Sequence, residues 1–410
     1  MTRNANRNCL SAFLGAALIL MLPAIVFAPL SFAQAQTFKV PYNFTGTADG
    51  GNPVAGLVRD SEGDVYGTTV LGGNASCAIP MGCGVVFKLD PTGYETALYN
   101  FTGGSDGGYP QAGLILDAAG NLYGTTAYGG DLNCEAPYGC GVVFMWDKKE
   151  TKEIVLHAFS GAPDGLYPLG GLIRDDEGNL YGTTSGGGSA NVGVIFRLDS
   201  SGNETILHSF AGAPSDGAFP TLTSLLGSGG ALYGVTQEGG TSNAGVVYKL
   251  SKAGTGARLT VLHSFALGYA DGQYPWGTPI MDKEGNLYGT AYMGGSAANG
   301  IVWRVSPSGK ETVLHNFYGY PADGAQPNAG VITDGKGNLY GTTAEGGTNG
   351  EGTVYELNSE GSVTLLHSFL SSSDGGYPKD GLIFDPAGNL YGTTYEGGSY
   401  DYGTVFELTP

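Results

Sequence analysis

The chain has 410 residues, of which only 13% are charged, and 73 are glycine; 18 basic residues face 37 acidic ones, a formal net charge of −19. The acidic excess disfavours nucleic acid and anionic membrane surfaces as partners, because both need a basic face. Apolar residues make up 41% and are strongly periodic, which excludes a disordered chain. Ordinary domains run about 25% charged and about 7% glycine, so this balance points to an all-β fold rich in turns.

Arg3 and Arg7 precede an uncharged apolar run from Leu10 to Phe32, and Ala33-Gln34-Ala35 forms an A-x-A site. The pattern predicts a secretory signal peptide over 1–35; a retained N-terminal anchor helix is the alternative. Removing it takes away two arginines and no acid, so 16 basic against 37 acidic residues leave −21. No later segment is apolar enough to span a bilayer. The mature protein is expected to be a monomer outside the cytoplasm, secreted, periplasmic or extracellular.

From residue 36 onward one core, G-N-L-Y-G-T-T, is written seven times. Its tyrosine is Tyr66, Tyr123, Tyr181, Tyr233, Tyr288, Tyr340 and Tyr391, at spacings of 57, 58, 52, 55, 52 and 51 residues. A fixed period of this size marks an array of supersecondary units. Each copy contains four β-like runs, in the second copy Ala112–Asp117, Asn121–Thr126, Gly141–Trp146 and Glu153–Phe159, named strands a to d. The a–b turn reads Asp-x-x-Gly-Asn, residues that tolerate positive φ. Four such strands make an antiparallel sheet, and seven sheets predict a seven-bladed β-propeller of four-stranded antiparallel blades. The last repeat stops at strand c, Gly403–Leu408, while Phe38–Phe44 matches strand d of the first copy. The N-terminal strand is therefore expected to complete blade 7 and close the ring, which removes open edges and makes 36–410 a single domain.

Cys77/Cys83 and Cys134/Cys140 are C-x5-C pairs in the same loop of two consecutive repeats. Disulfides are expected there, with pairing inside each loop the simpler connectivity, since no His or carboxylate cluster accompanies them for metal binding. All five histidines, His157, His208, His263, His315 and His367, fill one position of strand d, which Tyr42 and Tyr99 fill in two other copies. Following the repeat so closely, they read as structural, each bonding a neighbouring turn. Asp49, Asp106, Asp164, Asp216, Asp271, Asp323 and Asp374 of D-G-x-Y-P read as turn residues; the alternative, Ca²⁺, wants 6–8 oxygen ligands and each repeat offers one loop Asp. No cofactor and no metal site are expected. No G-x-S-x-G, H-E-x-x-H or P-loop is present.

The combination L-H-S-F, D-G-x-Y-P, G-L-I-x-D-x-x-G-N-L-Y-G-T-T, G-G and G-V-V-F-K-L resembles the choice-of-anchor GloVer tandem-repeat family of exported bacterial proteins over residues 38–410. The resemblance implies an extracytoplasmic repeat protein and carries no activity onto particular residues.

Residues that break the pattern are freer to serve function. By analogy with other propellers closed from the N-terminus, strand a lines the channel, and the d–a and b–c loops share one face. Polar and aromatic departures there concentrate in blades 4–7: Glu238, Trp276, Asn328, Glu345, Lys379, Asp380 and Glu396. An exposed Trp276 beside carboxylates and amides suits a sugar, which offers an apolar face and a hydroxyl edge. The favoured reading is a recognition module that binds an extracellular ligand such as a polysaccharide. The alternatives are a glycan-cleaving enzyme using Glu345 and Glu396 as acid and base, and a scaffold for an extracellular protein.

Overall fold

Each position of G-N-L-Y-G-T-T has a task in an antiparallel sheet, and the second copy shows it. Asp117 and Asn121 close the a–b hairpin: Asp117 Oδ1 accepts the N–H groups of Ala119 and Asn121, both at 2.9 Å. The tyrosine hydroxyl of Tyr123 donates to the same carboxylate at 3.1 Å, as Tyr66, Tyr181 and Tyr288 do in their copies. Gly124 admits no side chain, because a Cβ would lie 2.8 Å from both Leu114 and Phe144. Thr125 donates to Gly170 O of the next blade at 3.2 Å, and Thr126 to Tyr128 O of its own b–c loop at 2.8 Å.

The computed structural model describes residues 36–75, 77, 81–220, 226–228, 230–251 and 256–410; the expected signal peptide lies outside the described residues. Strand b of each repeat pairs with a and c, and c with d, giving seven antiparallel sheets. Blade 1 comprises Val58–Arg59, Val65–Thr69, Val85–Leu89 and Glu95–Asn100. In the last blade Thr37–Asn43 pairs with Thr404–Thr409, Phe38 opposite Leu408 and Asn43 opposite Thr404, so the N-terminal strand supplies strand d of blade 7. Strand a is shorter than the sequence suggests: in blade 2 it is Ile115–Leu116 rather than Ala112–Asp117. The residues ahead of it face another blade instead, with Thr68 of blade 1 donating to Ala112 O at 3.4 Å. Strand a and the segment before it line an axial cavity of about 240 Å³, to which Gly56, Gly113, Thr278, Gly330 and Asp380 contribute.

The core lies between blades. The phenylalanine ending strand d meets an aromatic ring on strand c of the next blade in all seven junctions: Phe44–Phe87, Phe101–Phe144, Phe159–Phe196, Phe210–Tyr248, Phe265–Trp303, Phe317–Tyr355 and Phe369–Phe406. The centroids are 5.0–5.8 Å apart at steep angles, and the strand-d phenylalanines are fully buried. Such pairs contribute about 0.5–1.5 kcal/mol each beyond their buried area.

Two predictions follow from these junctions. Deleting Phe38–Phe44 removes Phe44 from Phe87 and bares the edge of Thr404–Thr409, so aggregation is expected; a soluble, monomeric deletion variant with unchanged melting would contradict ring closure. The hydroxyls of Tyr248 and Tyr355 are buried without a hydrogen-bond partner. Tyr248→Phe and Tyr355→Phe should therefore raise stability, by about 1 kcal/mol each, in denaturant titration, and a loss of stability would show those hydroxyls to be satisfied.

Candidate ligand-binding face

A second, smaller pairing in each repeat builds the loop face. The Gly after each loop Asp lies opposite the first Gly of the b–c loop, as in Gly165↔Gly187, Gly217↔Gly239 and Gly324↔Gly346. This bridge brings d–a and b–c loops together and sets Glu238 opposite Ala218, Glu345 opposite Ala325 and Glu396 opposite Gly376. The residue before each loop proline then adopts the left-handed region: Asn52, Tyr109, Tyr167, Phe219, Tyr274, Gln326 and Tyr377 have φ between 53° and 60°. Its N–H reaches back to the preceding blade, from Tyr109 to Cys83 O at 2.8 Å and from Tyr377 to Glu351 O at 2.8 Å.

On this face Lys379 stands 3.3 Å over the centre of the Tyr395 ring. Burial lowers the lysine pKa and the neighbouring Glu396 opposes that shift. The Tyr395 phenol is raised by burial and by Glu396. Glu351, burial, Glu345 and Glu396 together raise Tyr377, so carboxylates of two b–c loops bear on one phenol. Tyr292 donates to Gln326 Oε1 at 2.8 Å, and burial and Glu345 raise it. Trp276 is half-buried rather than exposed, 6.1 Å from the Tyr292 ring, and its indole N–H has no hydrogen-bond partner.

Glu238 and Asp380 make their contacts apart from this group. Asn328 is half-buried. Glu238 receives a bond from Asn243 of its own loop at 3.2 Å. Asp380 turns into the axial cavity, where its carboxylate accepts the N–H groups of Gly56 and Gly381 and ties blade 7 to blade 1. Burial raises its pKa to about 6 against those two bonds.

Several face residues escape the sequence reading. Tyr395 and Tyr292 occupy the position after Y-G-T-T, which otherwise holds Val70, Ala127, Ser185, Gln237 and Ala344. That variability is the signal that finds them. Across the ring Tyr109, Tyr128 and Tyr167 form edge-on contacts at 5.5 and 5.6 Å, and Tyr109 and Tyr395 both pack on Val54, Val70 and Leu71. The tyrosines of D-G-x-Y-P look like repeat filler in sequence, and only the left-handed backbone turns them onto the face. The disulfides Cys77–Cys83 and Cys134–Cys140 close within their loops on this side, the connectivity expected from spacing.

Residues 30–226 and 220–410 each match the Gloeobacter/Verrucomicrobia repeat. The chain belongs to that family. Among solved structures, a fungal alcohol oxidase of the AA5 family in complex with copper superposes with a TM-score of 0.56 at 14% identity, over 91% of this chain and 76% of that one. A GH74 enzyme of Niastella koreensis superposes with a TM-score of 0.52 at 16% identity, over 87% of this chain and 52% of that one. At such identities the likeness is one of fold. No curated protein matches the sequence. Two disulfides in an exported-repeat family fit a protein that matures outside the cytoplasm.

In this Gloeobacter/Verrucomicrobia repeat protein the strand-d histidines act as turn clamps. His208, His315 and His367 lie 2.9, 2.9 and 2.8 Å from the aspartate of the d–a loop that follows them, and Tyr42 and Tyr99 donate to theirs at 2.9 Å. The aspartates also accept loop N–H groups, Asp216 from Ala211 at 2.9 Å and Asp374 from Leu370 at 2.8 Å. At some junctions a glutamate opening strand d of the next blade abuts this pair. Burial first, then the nearby Asp49, Asp106 or Asp271, raises Glu95, Glu153 and Glu311 from 4.5 to about 7.

These three carboxyls hold protons in the folded state that the unfolded chain has lost. Their stabilisation is complete below about 4.5 and disappears as the pH rises through about 7. His367, whose pKa burial lowers, works in the opposite sense and is outnumbered. Melting temperature measured in EDTA should fall between about pH 5 and pH 8, and the Glu95→Gln/Glu153→Gln/Glu311→Gln variant should flatten that fall; a rise over the same window would contradict the assignment.

Proposed function

We propose that this protein is an exported recognition module that binds a polysaccharide on the face formed by the d–a and b–c loops, centred on blades 5–7. The grouping of Lys379, Tyr395, Glu396 and Tyr377, with Trp276 beside Tyr292 and Gln326 in the adjoining loops, carries this reading, because aromatic rings stand there beside charged and amide groups. Tyr395 and Trp276 would take the apolar face of a sugar, while Glu345, Glu396, Lys379 and Asn328 would take hydroxyls. The overall charge favours a neutral or amino sugar polymer over a polyanion. A glycan-cleaving reading draws on the two carboxylates that bear on Tyr377, Glu345 and Glu396.

Tag-free mature protein would be incubated with insoluble and soluble polysaccharides, with bound protein and released oligosaccharides assayed in the same tubes. Retention without product is expected. Tyr395→Ala and Trp276→Ala should remain folded, with a somewhat lower melting temperature, and bind about tenfold more weakly, roughly 1.4 kcal/mol. Retention equal to wild type in both variants would remove the proposed face, and product release that depends on Glu345 and Glu396 would replace recognition with catalysis.

A further inference from the structure

Two histidine clamps, those of His157 and His263, depart from the others, and at His157 a facing glutamate also comes within 4 Å. His157 of blade 2 lies on Lys152–Ala158, Asp164 follows in the d–a loop, and Glu204 opens strand Glu204–Ser209 of blade 3. His157 Nε2 is 3.5 Å from Asp164 Oδ2 and 3.8 Å from Glu204 Oε1. In the clamps of His208, His315 and His367 the matching separation from aspartate is 2.8–2.9 Å, and the position equivalent to Glu204 in the following blade holds Leu259, Val363 and Phe38. A facing glutamate thus accompanies an imidazole drawn off its aspartate. His157 Nε2 and Glu204 Oε1 are both buried without a hydrogen-bond partner, as are His263 Nε2 and Glu311 Oε1 between blades 4 and 5, an arrangement that costs free energy unless a shared proton or a shared cation satisfies them.

We propose that His157, Asp164 and Glu204 form a zinc site at the junction of blades 2 and 3. The three ligand atoms lie within 4.8 Å of one another. Zinc held tetrahedrally at about 2.1 Å from each ligand places neighbouring ligands about 3.4 Å apart, close to the two separations observed here. One imidazole nitrogen with two carboxylate oxygens is a borderline donor set that suits Zn²⁺, and it supplies too few oxygens for Ca²⁺. Asp164 is already oriented: Oδ2 accepts Ser160 N at 2.9 Å and Ser160 Oγ at 3.0 Å, and Oδ1 accepts Gly165 N at 2.7 Å. Such outer contacts fix a ligand before the metal arrives. The three side chains keep 15–19% of their surface exposed, which leaves a path for the ion and for water as a fourth ligand. His263, Asp271 and Glu311 repeat the residue types between blades 4 and 5 with a 3.5 Å His–Asp separation, but among the described residues only Glu204 also comes within 4 Å of its histidine.

The test is calorimetric titration of EDTA-stripped, tag-free mature protein with ZnCl₂, paired with melting curves. Wild type should bind about one equivalent and melt higher with zinc, reversibly on adding EDTA. Glu204→Gln, nearly isosteric and relieved of a buried charge, should fold and lose at least about tenfold in zinc affinity. Glu153→Gln should bind zinc like wild type, because Tyr99 replaces the histidine at its junction. His157→Gln gives a second variant should Glu204→Gln fail to fold. No zinc-dependent heat or shift in wild type, or equal affinity in Glu204→Gln or in His157→Gln, would overturn the proposal. So would an equal loss in Glu153→Gln.

Discussion

A phenylalanine at the end of each outer strand reaches an aromatic ring in the next blade, and the whole ring depends on these contacts. A four-stranded blade cannot bury both of its faces alone. Phe101 against Phe144 serves both neighbours at once, and Phe44 against Phe87 does the same where the two ends of the chain meet. The backbone adds a second tie in the same place. Holding Tyr109, Tyr167 or Tyr377 in the left-handed region costs roughly 1–2 kcal/mol per residue. Its N–H bonds the preceding blade and its carbonyl bonds its own, as Tyr109 does with Cys83 and Ala127. Two bonds of about 1 kcal/mol each offset that cost. The following proline lands on the glycine ahead of strand c, where a Cβ at Gly141 would sit 2.6 Å from Pro168 and one at Gly403 2.8 Å from Pro53.

Architecture was legible because it is repeated. Seven copies of G-N-L-Y-G-T-T, and a strand-d match at the wrong end of the chain, suffice for a closed seven-bladed ring. The histidines were legible for the same reason: a position filled by either His or Tyr needs only a donor for the loop aspartate. The short bridge between the d–a and b–c loops was not legible, since Gly-Gly and Asp-Gly read as plain turns until their register is known. Strand a looks longer in sequence because Ala112 and Leu114 are apolar, yet Leu114 is buried by the channel and by Leu122 and Phe144 rather than by strand pairing.

The face was half legible. Scanning loop positions for departures finds Trp276, Lys379, Glu345 and Glu396, but it takes Asp380 for a face residue when it fastens blade 7 to Gly56. It passes over Tyr395 and Tyr109, whose placement depends on backbone conformation rather than on residue type. The same contrast between copies separates His157 and His263 from the other clamps. Their sequence positions are ordinary; a glutamate arrives from the neighbouring blade at each, and among the described residues only Glu204 comes within 4 Å of its histidine.

Pattern-following residues build the ring, and in the proposed function pattern-breaking residues on one face meet a ligand. Hydrogen–deuterium exchange with and without a retained oligosaccharide tests that division most directly. Added protection is predicted in peptides spanning 272–278, 291–295, 324–330, 343–347, 375–381 and 394–398, with little change in the a–b and c–d turns on the opposite face. Protection confined to those turns, for example around 282–285 and 358–361, would place the ligand on the other side of the ring and contradict the account.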